Sequence, residues 1–137
     1  MTSWVALSLN IGSKSVSAWE LEKLLQTEAS FKAEVGDRVS KRSPAAGVRD
    51  SSLCSFESSL LDSAPLQEHV EWLLRMLQNH EVTLLELASL GCELDVKIGF
   101  SSGSGQGGFA LGNDVLLLLG RLGIDLYVNL FPPAAEE

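Results

Sequence analysis

Cysteine is scarce in this chain. Cys54 and Cys92 are the only two, too few and too far apart for a disulfide framework or a metal knuckle. Each lies in an alternating apolar run, which predicts a reduced, buried thiol. Histidine is equally sparse. Neither His69 nor His80 has a second His, Cys or carboxylate at ligand spacing within its own element. Both are expected at the surface or rim, with no metal and no cofactor. Long apolar runs are absent too. No stretch approaches the ~20 apolar residues that a membrane helix requires. Met1 to Ile11 lacks the basic leader of a secretory signal. The expected compartment is therefore the cytoplasm, with no membrane partner. Positive charge is also in short supply, with 10 Lys and Arg against 18 Asp and Glu, a net charge of −8. That balance argues against nucleic acid, whose affinity comes from neutralising phosphates. It favours a basic protein partner, because opposite fields steer encounter.

What is present is a globular composition, 45% hydrophobic and 20% charged. A chain of this length buries roughly 70% of its unfolded surface. One α+β domain over residues 1–131 is expected, followed by a disordered acidic tail over 132–137.

Strand and helix periods alternate along the chain. Val5, Leu7, Leu9 and Ile11 share one face of a first strand, Trp4 to Ile11. Ser17 and Glu20 have capping-box spacing, so a helix is expected from about Ala18 to Gln26. Phe31, Ala33 and Val35 form a short second strand that ends at Gly36-Asp37. Arg38 to Asp50 reads as a polar loop. Leu53 to Ser59 reads as a third strand whose serines suggest an edge or a wet face. Pro65 suits a first helical turn, and Leu66, Val70, Leu73, Leu74 and Leu77 form one apolar stripe. Thr83 and Glu86, with Val82 and Leu87 around them, predict a second capping box and a helix to about Leu90. Cys92 to Phe100 alternates, Val115 to Leu122 is a leucine-rich helix closed by Gly123, and Ile124 to Leu130 alternates again. The order β-α-β-β-α-α-β-α-β predicts a two-layer α+β sandwich. Its five-stranded, mainly antiparallel sheet, of ferredoxin-like type, carries helices on one face.

Several segments also resemble those of a bacterial family, domain of unknown function 4279. They are Val35-Gly36-Asp37, Leu66 to Leu77, Gly108 to Gly112 and, most closely, Leu122 to Leu130. The likeness covers nearly the whole chain. The chain departs from the family pattern at Leu53, where an aromatic is usual, and at Gly112-Asn113, where Ser or Pro is usual. The resemblance implies an α+β domain and supplies no activity.

The candidate chemical motifs are weak. Gly103 to Gly108 has the spacing of a dinucleotide fingerprint. In such sites the helix starts at once, whereas here Phe109-Ala110-Leu111 intervene, so a flexible crossover loop is expected. Gly99 to Gly103 matches a nucleophile elbow, but glycines rather than a helix follow the serine, and both histidines precede it. Glu93, Asp95 and Asp125 fall on the polar sides of the last two strands and could form an acidic sheet face. Arg38, Lys41, Arg42 and Arg49 concentrate positive charge in one loop, a candidate anion grip. Trp72 and Met76 lie off the apolar stripe, a candidate interaction rim. No catalytic set emerges. The expected function is a non-enzymatic protein-binding module, of immunity or regulatory type, that meets a basic partner as a monomer or homodimer. The alternative is a small-ligand or anion sensor using the basic loop and the glycine run.

Overall fold

The structure is a computed structural model that describes residues 3–40, 42–103 and 108–132. Five strands form one sheet in the order β2-β3-β1-β4-β5. The strands are β1 (Trp4–Ser13), β2 (Phe31–Ala33), β3 (Ser52–Glu57), β4 (Glu93–Ser101) and β5 (Asp125–Leu130). The helices are α1 (Ala18–Leu25), α2 (Leu66–Asn79), α3 (Glu81–Ser89) and α4 (Asn113–Leu122). The first four strands pair antiparallel throughout, an order compatible with a ferredoxin-like sheet. β5 joins parallel to β4 after the α4 crossover, so the sheet is mixed. Among the described residues no helix is long and apolar enough to cross a membrane.

Period-2 alternation decides which face of the sheet is covered. Val5, Leu7, Leu9 and Ile11 of β1 are buried, as are Cys54 and Phe56 of β3 and Leu94, Val96 and Ile98 of β4. Onto this face pack Leu21 and Leu25 of α1, Val70, Leu73 and Leu77 of α2, Leu84 and Leu87 of α3, and Leu118 and Leu122 of α4. All belong to one cluster, so the helices occupy one side of the sheet. Burying a leucine of this kind stabilises by roughly 1.5–3 kcal/mol.

Local signals explain most helix ends. Ser17 Oγ accepts the Glu20 N–H at 3.1 Å, as its cap spacing predicts. Gln26 closes α1 in the left-handed region, at φ 50°. Gly123, at φ 68°, ends α4, where the Ile124 N–H reaches back to the Leu119 carbonyl at 2.8 Å.

Three local expectations need correction. Of the two readings of β3 the edge is excluded, because the strand lies between β2 and β1, while Ser55 stands part-buried on the face opposite the helices. Its serines are accommodated by bonding. Ser52 is buried, and its hydroxyl lies 3.1 Å from the Ser13 carbonyl and 2.6 Å from that of Val16. α3 begins at Glu81, before Thr83, and has no side-chain cap bond; Val82, the expected staple, is exposed. The helix starts early because α2 and α3 follow one another through His80 alone. The polar loop after β2 is a folded hairpin. Gly36 N–H bonds the Arg49 carbonyl at 2.9 Å, and Arg49 N–H bonds that of Asp37 at 2.8 Å. Arg38 and Val48 form an isolated bridge. The acidic tail from residue 133 onward lies outside the described residues.

Candidate functional site

The face opposite the helices is the candidate site, because strand alternation gathers polar and small side chains there without covering them. Strand register turns this face into rungs. One rung runs Phe31, Ser55, Asn10, Asp95, Asp125 across all five strands. The next runs Glu57, Ser8, Lys97, Tyr127, and a third pairs Ala6 with Gly99 and Asn129.

Pairing places Glu93, Asp95 and Asp125 at one corner of this face. Asp95 and Asp125 are direct neighbours on parallel strands. Like charges set side by side repel. Here Asn10, itself buried, donates from Nδ2 to Asp95 Oδ1 at 2.8 Å. Glu93 and Asp125 remain exposed.

At the other end, β1 floors a trough between β4–β5 and residues 57–62, with a volume near 370 Å³. Trp4 and Phe131 close it, their ring centroids 5.1 Å apart and their planes tilted by 44°. A Cβ at Gly99 would sit 3.3 Å from Trp4 Cζ3 and 3.4 Å from Phe131 Cε2. Glycine at that position lets both rings settle over the strand. These trough residues escape a sequence reading because no spacing relates them; only the register of β1 with β3 and β4 brings Glu57 and Lys97 to either side of Ser8.

The basic residues are only partly assembled. Arg38 and Arg49 line a hollow beside Phe31 and Ala33, together with Asp37. The Arg49 guanidinium lies 5.6 Å from the centre of the Phe31 ring, and its Nε is buried without a hydrogen-bond partner among the described residues. Arg42 does not line this hollow. Lys41 lies outside the described residues, as do Ser104 to Gly107 of the glycine run.

Trp72 and Met76 are less exposed than their place off the apolar stripe implies. Met76 is only 8% exposed, and Trp72 is half-buried against the core. Together with residues 27–30 and 56–59, both side chains line a hollow beside α2. His69 is also corrected from rim to interior, at 1% exposure. Its Nδ1 is 2.7 Å from Ser58 Oγ and its Nε2 is 3.1 Å from the Leu61 carbonyl. A carbonyl only accepts, so Nε2 carries a hydrogen. The ring therefore pins residues 58–61 to α2.

The remaining polar clusters are structural. Glu22 on α1 accepts from Lys32 Nζ at 2.9 Å and from the Ala29 N–H at 2.8 Å. The Lys32 ammonium, and then that N–H, hold the Glu22 carboxyl below its ordinary range, while Glu22 raises Lys32. Both cysteines are free and buried. Burial pushes the Cys54 thiol up to about 11, and its Sγ lies 3.1 Å from the Ala18 carbonyl. No group of three or more His, Cys, Asp or Glu residues placed to hold a metal ion occurs among the described residues.

A family model described as Domain of unknown function (DUF4279) matches residues 2–131. No curated protein and no solved structure matches the chain.

Proposed function

The chain belongs to the family described as Domain of unknown function (DUF4279), and from that premise we propose that it is a non-enzymatic recognition module. Its helix-free sheet face docks a basic protein partner. The observation that carries this reading is the acidic corner, where Glu93, Asp95 and Asp125 stand on adjacent strands with Asp95 directly beside Asp125. A cationic side chain placed there relieves a like-charge pair in which Asn10 already donates to Asp95. The net charge of −8 supplies long-range steering toward such a partner.

The test compares two triple charge reversals. One carries Glu93→Lys, Asp95→Lys and Asp125→Lys; the other carries Glu68→Lys, Glu71→Lys and Glu86→Lys on the helices. Net charge is then matched. Capture from the native host should recover a basic protein with wild type and with the helix variant, and lose it with the sheet variant. Equal recovery by all three would sink the reading.

Arg49 supports a second reading, a small anion held in the hollow it shares with Arg38. A buried guanidinium nitrogen without a partner is costly, and an anion would satisfy it. Phosphate and organic carboxylates should then raise the melting temperature of wild type but not of Arg49→Gln.

A further inference from the structure

We infer that the trough closed by Trp4 and Phe131 binds a free amino acid with an aromatic or large apolar side chain, or a zwitterion of like shape. This site is separate from the acidic corner and does not depend on it. Its volume near 370 Å³ falls at the small end of the about 300–1,000 Å³ typical of ligand pockets.

Three charged side chains line it, Glu57, Asp62 and Lys97, and two of opposite sign flank its floor. Glu57 and Lys97 are both direct neighbours of Ser8, one on each side of β1. With strands about 4.8 Å apart, their Cα atoms stand about 10 Å from each other. Both side chains are exposed. The ion pairs among the described residues are Lys32–Glu22 and Arg121–Glu81, so neither Glu57 nor Lys97 is spent on a charged partner among them. Between them, Ser8 Oγ accepts from Asn10 Nδ2 at 3.2 Å, which leaves the hydroxyl hydrogen for a further acceptor.

A ligand that offers an ammonium to Glu57 and a carboxylate to Lys97 and the Ser8 hydroxyl satisfies all three groups at once. An anion would satisfy only Lys97 and would approach against a net charge of −8. A simple amine would leave Lys97 unpaired. A zwitterion meets no net repulsion. Its side chain then lies along the strand toward the tilted Trp4 and Phe131 rings, which close over Gly99 and give the trough an apolar, aromatic end.

Isothermal titration calorimetry on the full chain tests this with three probes: L-phenylalanine, phenethylamine, which lacks the carboxylate, and hydrocinnamate, which lacks the amine. Saturable binding of L-phenylalanine is expected, with each single-charge analogue weaker by about tenfold or more. Lys97→Ala and Glu57→Gln should each lose about tenfold in affinity with no change in melting temperature, since both side chains are exposed. Glu93→Lys/Asp125→Lys should bind L-phenylalanine as wild type does, which separates this site from partner docking. The inference is overturned if L-phenylalanine, L-tryptophan and L-leucine all give no saturable heat with folded protein. Equal affinity for the analogues, or undiminished binding by the Lys97 and Glu57 variants, overturns it equally.

Discussion

Glu34 Oε1 accepts the backbone N–H of Ala18 at 2.7 Å, so a residue just after β2 caps the helix that precedes that strand. Its Oε2 takes the Trp19 N–H at 3.3 Å. With Ser17 Oγ on Glu20 N–H, three of the unpaired donors at the start of α1 are satisfied. A carboxylate at this end also meets the positive pole of the helix. Glu34→Ala should therefore lower stability by about 1 kcal/mol. Urea unfolding reads this as a lower midpoint at unchanged slope. An unchanged midpoint would mean that water replaces the carboxylate without cost.

His69 ties α2 to the segment after β3. His69→Leu keeps an apolar body in the core but leaves Ser58 Oγ and the Leu61 carbonyl without their ring partner. A loss of about 2 kcal/mol is expected. Hydrogen exchange gives a local readout. The Val5 N–H, bonded to the Asp62 carbonyl, and the Ser58 N–H, bonded to that of Leu7, should lose protection before the core of β1 does.

Met76 should behave as a core residue. Met76→Ala should cost about 2–3 kcal/mol through lost contact and the cavity left behind. A surface methionine would change stability by less than about 0.5 kcal/mol. Thermal or urea unfolding distinguishes the two outcomes.

Cys54 should be chemically silent in the native state. The thiolate is the reactive form, and burial holds this thiol neutral up to about pH 11. Aromatic disulfide reagents at about pH 8 should label it only after unfolding. The same shift predicts a stability slope. Between pH 9.0, the ordinary thiol value, and about 11, the unfolded chain releases this proton while the folded chain keeps it. Stability therefore falls as pH rises through that window. Cys54→Ala should show a shallower decline over the same range, measured as the difference in urea midpoints.

Local periodicity determined a great deal here. The order of strands and helices, the buried stripe from Leu66 to Leu77, the Ser17 cap and the Gly123 stop each depend on residues a few positions apart. So does the placement of Glu93, Asp95 and Asp125 on the polar side of their strands. Those distances are what the 2.0 and 3.6 periods encode. Tertiary structure decided what depends on distant partners. Pairing with β2 on one side and β1 on the other moved β3 into the sheet. Met76 joined the core cluster, although the wheel of its own helix left it open. Glu34 found a helix end sixteen residues away. Glu57, Ser8 and Lys97 came together because β1 lies between β3 and β4. Side-chain alternation tells a strand which way its residues point, but it carries no information about which strand lies alongside.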